Sequence, residues 1–394
     1  MGISPDTKNS FGGIIMKKAV RFLAAAMVVM MLALALAGCG SSSSGNEIVI
    51  GGVGPLTGTA ATYGQSVRNA AQIAVDEINE AGGVNGVKLK LIFEDDEADG
   101  AKTKSAYETL MDKGMQILVG AVTSGSSIAI NDLVAKDGIL QITPSASAIE
   151  ANVNPNTFRV CFTDPLQGKA MAEYTYSLGY TKAAVIHNQD DDYSTGMYQA
   201  FVERFKELGG TISEDVSFAK DASDFNAQVT KIKASDADFI FMPIYAEKAA
   251  QIVITLNEKE VNLPLFGGDG LDGILNYLTG DNAKLVEGLV YLTPFVSTDS
   301  ADNVKSFTEK YTQKYGSAPD QFAADAYDAV YLVKLALEKA GVASAAELDN
   351  AKLVEAMHSV ELAGLTGHMT FDADGEPQKD AKVAKIVNGQ YVAQ

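Results

Sequence analysis

From residue 46 onward, short apolar runs alternate with segments whose apolar residues recur at helical spacing. The first run, at 48–50, is followed by a helical pattern over 67–78 that stops at the glycines of 81–83. Strands that alternate with helices of this length are typical of parallel sheets with helices on both faces. The pattern therefore predicts an α/β fold.

The alternation runs through the rest of the chain as two series of similar length. The predicted strands are 48–50, 89–93, 116–119, 139–142, 183–186, 238–242, 263–266, 368–371 and 382–387. The predicted helices are 67–78, 101–113, 125–136, 166–178, 194–208, 246–259, 301–315, 321–340 and 347–358. Because a chain of 394 residues is too long for one ordinary core, two series predict two lobes.

Two loops rich in hydroxyl groups follow neighbouring predicted strands. Residues 123–127 (TSGSS) open a predicted helix, and residues 143–147 (TPSAS) follow the next strand. A hydroxyl side chain at such a junction is usually a helix N-cap. The first turn of a helix also offers free N–H groups and a positive dipole end, which together bind a carboxylate. Either loop alone is compatible with simple capping, whereas the pair favours a ligand site.

In the second series, Asp269 lies between glycines that follow a strand (GGDG, 267–270). The glycines let the backbone approach a ligand closely, although such an aspartate can also bond its own turn. Tyr193 and Tyr245 occupy comparable positions after strands, and each alone is compatible with an ordinary, partly buried aromatic residue.

Motifs of enzymes and cofactor sites are incomplete. Residues 52–58 (GVGPLTG) depart from the dinucleotide fingerprint, since the third glycine is one residue late and Pro55 removes a backbone N–H. The three histidines form no known metal motif, and Ser124 lacks the nucleophile-elbow pattern. We predict no cofactor, no metal site and no enzyme activity.

The N-terminal residues are typical of a bacterial export signal. Three basic residues within 17–21 precede an uncharged segment of sixteen residues at 22–37, shorter than the ~20 that span a bilayer. The segment ends in LAGC (36–39), which resembles a lipobox in which Cys39 is lipid-modified and becomes the new N-terminus. An uncleaved membrane helix is the alternative.

We therefore expect residues 1–38 to be a signal segment, with Met16 as the true start, and 39–45 to be a flexible tether. The net charge of −19 becomes −22 without residues 1–38, which carry four basic and one acidic side chain. Such a charge disfavours binding to nucleic acid or anionic lipid headgroups. With Cys39 lipidated, Cys161 is left without a disulfide partner.

Several segments in order along 46–394 resemble the Leu/Ile/Val-type substrate-binding proteins of ABC importers, in the type I periplasmic-binding family. They are GPLTG (54–58), Tyr63-Gly64, DEIN (76–79), GGVNG (82–86), TPS (143–145), Asp164 with Gln167-Gly168, DYSTG (192–196), GGDG (267–270) and Ala324 with Tyr327-Asp328-Ala329. The resemblance implies two doubly wound parallel-sheet lobes joined by three hinge crossings. Lobe 1 would comprise 46–163 and 293–372, and lobe 2 would comprise 164–292 and 373–394.

The resemblance also implies the roles of individual residues. Ser124 and nearby N–H groups would hold an amino-acid carboxylate. The loop of Ser145, Ala146 and Ser147 would hold the ammonium from one lobe, and Asp269 would hold it from the other. The matching aromatic positions around the ligand are Tyr63, Tyr193, Tyr245 and Phe322. The chain departs from the family in lacking a lobe 1 disulfide and in carrying aspartate rather than the longer glutamate at 269.

These expectations describe a monomeric, lipid-anchored receptor outside the cytoplasm that delivers a branched-chain or other aliphatic amino acid to the permease subunits of an ABC importer. A zwitterion in a dry cleft requires partners for both charges, since an unpaired buried ion costs several kcal/mol. Two alternatives stay open. One is a receptor for another amino acid, an amide or an organic acid, and the other is the ligand-sensing subunit of a signalling system.

Overall fold

A computed structural model describes residues 1–2 and 46–394, and residues 46–394 form one compact unit. The predicted signal segment, the lipobox with Cys39 and the tether lie outside the described residues. None of the described helices is both long enough and apolar enough to cross a membrane.

The elements of the described part alternate along most of the chain. The strands are β1 (Glu47–Gly54), β2 (Lys88–Asp95), β3 (Ile117–Gly120), β4 (Gln141–Thr143), β5 (Thr157–Arg159), β6 (Lys182–Asn188), β7 (Thr211–Phe218), β8 (Phe239–Met242), β9 (Leu265–Gly267), β10 (Val290–Thr293), β11 (Leu362–Gly364), β12 (Gly367–Phe371), β13 (Pro377–Gln378), β14 (Lys382–Val387) and β15 (Gln390–Ala393). The α-helices are α1 (Ala61–Glu80), α2 (Gly100–Asp112), α3 (Ser124–Asp137), α4 (Asp164–Ser177), α5 (Asp192–Glu207), α6 (Asn226–Ala234), α7 (Ala246–Glu258), α8 (Asp302–Tyr315), α9 (Gln321–Lys339) and α10 (Asn350–Met357).

The first sheet is entirely parallel, in the order β2-β1-β3-β4-β5. Its central strand β3 (ILVG) is buried along its whole length, as expected for a strand covered on both faces. Helices α1 and α9 pack against each other and bury apolar residues with this sheet. The prediction of an α/β fold with parallel sheets is confirmed.

The second sheet has the order β15-β14-β10-β9-β8-β6-β7 and is parallel from β7 to β10. Strands β14 and β15 run antiparallel at one edge, which differs from the expected purely parallel lobe. The pairing of β14 with β15 has a local cause, because Asn388 and Gly389 connect these two strands with φ of 52° and 70°. An Asn-Gly pair with positive φ at both residues makes a tight hairpin turn.

The sequence patterns do not predict every element, and notable omissions are β5, β7, β10 and α6. Strand β7 (TISEDVSF) lies at a sheet edge and is largely half-exposed, so it lacks the continuous apolar run of a buried strand. A small third sheet combines β11, β12 and β13, of which the sequence predicts only β12.

The topology places the loops of interest at the carboxyl ends of parallel strands. In the first sheet these loops follow β3 and β4, and in the second sheet they follow β6, β8 and β9. The chain passes between the two sheets after β5, after β10 and before β14. The residue bounds of the two lobes stay a prediction. Ligands of open α/β sheets bind at such strand ends.

Gly64 of α1 lies against the turn at Pro55, and a Cβ atom there would lie 2.0 Å from the Pro55 carbonyl oxygen. We expect Gly64→Ala to destabilise the protein by about 1–3 kcal/mol, because backbone has to move to relieve the overlap. Urea denaturation measures this change. Gly125→Ala is the control, since its Cβ would meet only Asp192 Oδ2 at 3.4 Å. Equal stability of the two variants would contradict the prediction.

Candidate functional site

A small cavity lies between the strand-end loops of the two lobes. It is lined by Tyr63, Val122, Thr123, Ser145, Ser147, Tyr193, Tyr245, Asp269, Gly270 and Phe322. Its accessible volume is about 10 Å³, which is room for about one water molecule, so the lobes are closed tightly over these residues.

The structure brings most of the predicted site residues together around this cavity. Those that line it are Tyr63, Ser145, Ser147, Tyr193, Tyr245, Asp269 and Phe322. Ser124 and Ala146 are buried next to the lining residues but do not line the cavity themselves. Three lining residues, Val122, Thr123 and Gly270, are additional to the prediction. Each is a direct sequence neighbour of a predicted residue or segment, which is the signal that identifies it.

The N-terminus of α3 supplies hydrogen-bond donors. Thr123 is the N-cap residue with an extended backbone (φ −99°, ψ 153°), and its side chain makes no capping hydrogen bond. The first-turn N–H groups are therefore not capped by that side chain. Ser124 Oγ accepts hydrogen bonds from the backbone N–H of Ser147 and of Ala148, both at 3.1 Å. The Ser124 hydroxyl thus ties the two hydroxyl-rich loops together beside a helix end that favours an anion.

The loop after β4 is held from behind by Arg159, whose side chain is fully buried. Its Nη1 donates to the carbonyl oxygens of Ala146 and Ala148 at 3.0 and 2.9 Å. Its Nε is ion-paired with Glu376 at 2.8 Å. On the cavity side, Ser145 Oγ donates to the Val122 carbonyl at 2.7 Å. These contacts fix the loop, and they show that Arg159 already engages the Ala146 carbonyl.

Asp269 is 3% exposed and lies on the opposite side of the cleft, after β9. Its backbone N–H donates to Gln167 Oε1 at 3.0 Å. Burial raises the pKa of Asp269 to about 6, while the nearby polar side chains of Gln167, Tyr193 and Gln321 act in the opposite direction. Its carboxylate therefore carries a charge at neutral pH.

Within the described residues, no lysine, arginine or histidine forms an ion pair with Asp269. By contrast, the buried Asp325 does have a cation beside it: Lys379 lies 3.6 Å away, and both side chains are fully buried. The cavity consequently holds a buried negative charge without a protein cation. A charge in this position calls for a cationic group from a ligand, because an unpaired buried ion is costly.

Four aromatic rings form the remaining walls. Tyr193 stacks on Tyr245 with ring centroids 4.8 Å apart and 18° between the planes. Tyr63 lies 4.4 Å from Phe322 and 5.4 Å from Tyr245, measured between ring centroids. Burial raises the pKa of Tyr63 and of Tyr193, so both hydroxyls stay protonated. Such rings give apolar contact area, and their faces also attract a cation.

Hydrogen bonds across the cleft hold the two lobes together around the cavity. The Tyr63 hydroxyl of α1 donates to the Gly270 carbonyl at 2.8 Å and accepts from the Ala246 N–H at 2.7 Å. Asp272 Oδ2 accepts from the Gln321 N–H at the start of α9, at 2.8 Å. The described residues contain no cluster of side chains able to hold a metal ion.

Comparison with known proteins gives a match over nearly the whole described unit. A family model described as periplasmic binding protein matches residues 47–390. The Leu/Ile/Val-binding protein BraC3 of Rhizobium johnstonii is 31% identical over 332 residues, which cover 84% of this chain and 89% of that protein.

Solved structures share the fold. The leucine-binding protein LivK of Thermotoga maritima has a TM-score of 0.80 and 28% identity, covering 88% of this chain and 97% of its own. The branched-chain amino acid transporter substrate-binding protein LivJ of Streptococcus pneumoniae, solved with isoleucine, has a TM-score of 0.80 and 30% identity, with 88% and 100% covered. The expected type I periplasmic-binding fold is confirmed.

Proposed function

Since this chain belongs to the periplasmic binding protein family of solute receptors that act outside the cytoplasm, we propose that it captures a branched-chain or related aliphatic amino acid for an ABC importer. As a member of this family the chain is a receptor and not an enzyme. The ligand is proposed to lie in the cavity between the lobes, and the permease subunits of the importer are proposed to receive it.

The observation that carries this proposal is the distribution of charge in the cavity. Asp269 on one lobe is ionised, buried and without a cationic partner, while the uncapped first turn of α3 on the other lobe offers N–H donors. An amino acid carries one group of each kind, so it satisfies both walls at once. A ligand without an amine, such as an aromatic acid, would leave Asp269 unpaired.

The walls also support a small apolar side chain on the ligand. Tyr63, Tyr193, Tyr245 and Phe322 surround the cavity, so their rings would contact the side chain of a bound amino acid. Burying an aliphatic side chain against these rings is favourable by about 1.5–3 kcal/mol. The Leu/Ile/Val-binding relatives are consistent with this choice.

The proposed mechanism is closure of the lobes around the ligand. Donors and acceptors for the two ligand charges come from different lobes, so the closed form is fully satisfied only when the ligand is present. The ligand then shifts the population towards the closed shape, which the permease can recognise. We further propose lobe bounds of 46–163 with 293–372 and 164–292 with 373–394, a monomeric receptor, and lipid anchoring through Cys39.

A thermal-shift screen of the twenty amino acids and common organic acids tests the function. A ligand that binds only the folded protein stabilises it by about 2.7 kcal/mol at one hundred times its dissociation constant. We expect leucine, isoleucine or valine to give the largest rise in melting temperature. A rise with organic acids alone, or with no amino acid, would contradict the proposal.

Binding is expected to weaken in acid. Because the pKa of Asp269 is about 6, its ionised fraction falls about ten-fold between pH 7 and pH 5, and leucine affinity should fall by a similar factor. Calorimetry across this range, in buffers of different ionisation enthalpy, should also detect proton release on binding near pH 6.

The stability of the ligand-free protein should respond in the opposite direction. The pKa of Asp269 is raised above the 3.8 of the unfolded chain, so the folded state holds a proton that the unfolded state releases. This contribution to stability is fully present below about pH 3.8 and is lost as the pH rises through 6. The variant Asp269→Asn is the control, because it should remove the contribution of residue 269 to the pH dependence of leucine affinity and of stability. An affinity for leucine that is constant from pH 5 to 7 would contradict the assignment.

A further inference from the structure

The cleft contains a second space, which we call the outer chamber, beside the ligand cavity. Its accessible volume is about 140 Å³, and it is lined by residues of both lobes. Thr123 and Tyr245 line both spaces, so the two meet between these side chains. Tyr245 is half-buried, whereas Tyr193, on which it stacks, is 1% exposed. Tyr245 therefore lies at the boundary between the small inner cavity and the larger outer chamber.

The two charges expected on the ligand lie at different depths relative to this junction. Asp269 lines only the inner cavity. The start of α3 reaches both spaces, since Thr123 lines both and Gly125 lines only the outer chamber. An amino acid with its ammonium at Asp269 and its carboxylate at the first turn of α3 thus directs its carboxyl end towards the outer chamber.

The side chains that line the outer chamber include hydrogen-bond donors and acceptors for a peptide group. Lys248 Nζ donates to the Ala222 carbonyl and Lys220 Nζ donates to the Ala98 carbonyl at 3.1 Å, so each ammonium retains further N–H donors. Asp192 and Glu247 also line the chamber and provide acceptors. Asp190 and Asp191, by contrast, already accept from the backbone N–H groups of Lys220 and Ser194.

We propose that the cleft also accepts amino acids extended at the carboxyl end, namely amino-acid amides and dipeptides with a free amine and an aliphatic first residue. This inference depends on the proposed amino-acid function. The first residue occupies the inner cavity, and the second residue passes between Thr123 and Tyr245 into the outer chamber. The terminal carboxylate of a dipeptide then lies near the ammonium of Lys248. Extension at the amine is excluded, because it removes the charge that pairs with Asp269.

Calorimetry at pH 7 with leucine, leucinamide, leucyl-glycine and N-acetyl-leucine tests the proposal. We expect the first three to bind, with leucyl-glycine within about 100-fold of leucine, and N-acetyl-leucine not to bind, because an unpaired buried charge costs several kcal/mol. If leucine binds while leucinamide and leucyl-glycine do not, the outer chamber is only a solvent space and this inference fails alone. If no amino acid binds, the proposed function fails with it.

The variant Lys248→Gln locates the second residue. It should weaken leucyl-glycine binding by about five-fold, as for a partly exposed ion pair, and leave leucine binding within two-fold. Lys231→Gln, at an exposed lysine of α6 outside the chamber, is the matched control and should change neither affinity. Equal losses for leucine and leucyl-glycine in Lys248→Gln would contradict the placement of the peptide carboxylate.

Discussion

Asp269→Asn is expected to abolish measurable leucine binding while the protein stays folded. The substitution keeps the shape of the side chain and removes the one buried charge in the cavity that lacks a protein partner. The ligand ammonium would then be buried without a counter-charge. Truncating one partner of a buried, hydrogen-bonded charge pair costs about 2–5 kcal/mol, which corresponds to a loss of affinity of about 30- to 5,000-fold.

The same variant should not lower the stability of the ligand-free protein. Removing an unpaired buried carboxylate relieves its desolvation cost, so the melting temperature should stay the same or rise. Asp221→Asn, at an exposed aspartate, is the matched control and should leave both affinity and melting temperature unchanged. Leucine affinity in Asp269→Asn equal to that of the wild type would show that the cation site lies elsewhere.

Tyr63→Phe is expected to give the second largest effect, through closure of the lobes. Its hydroxyl bridges the Gly270 carbonyl and the Ala246 N–H across the cleft. Without it, closure buries the Ala246 N–H with no acceptor, at a cost of about 1–3 kcal/mol. Leucine affinity should fall about 5- to 150-fold. At the same subsaturating leucine concentration, small-angle scattering should give a larger radius of gyration for Tyr63→Phe than for the wild type.

Tyr277→Phe provides the control for this prediction. The Tyr277 hydroxyl bonds Thr62 Oγ1 at 2.9 Å, also across the cleft, but it lies where water can replace the lost contact. Its removal should reduce affinity by no more than a few-fold. If Tyr63→Phe and Tyr277→Phe have equally small effects, the buried Tyr63 bridge does not stabilise the closed form.

The parts of the fold that could be predicted are those whose signal is local. Buried parallel strands such as β3 and β8 are continuous apolar runs, and the helices between them have apolar residues at helical spacing. Edge strand β7 mixes charged and apolar residues because one side meets water, so it lacks such a run. The hairpin of β14 and β15 also has a local signal, since Asn388-Gly389 is a residue pair typical of tight hairpin turns.

The site was predictable to the extent that loops after strands meet at one sheet edge. The segments at 123–127 and 143–147 satisfy this condition, and so does Asp269 after β9. Which residue faces the cavity depends on contacts between loops: Thr123 lines it, whereas the Ser124 hydroxyl accepts from the N–H groups of Ser147 and Ala148.

Contacts between residues distant in the chain could not be predicted from the sequence. Gln167 bonds the Asp269 N–H although 102 residues separate them, and Arg159 pairs with Glu376 over 217 residues. Both contacts order the site, the first by fixing the backbone at Asp269 and the second by fixing the Ser145–Ser147 loop. Neither residue type indicates its partner, because such pairing depends on how the lobes assemble.

A crystal structure of the protein with leucine is the most direct test of how this receptor recognises its solute. We expect the leucine nitrogen within about 3 Å of an Asp269 carboxylate oxygen, as in a charge-assisted hydrogen bond, and its carboxylate at the first turn of α3. A bound solute with no amino group beside Asp269, or leucine bound outside the cavity between the lobes, would contradict the account.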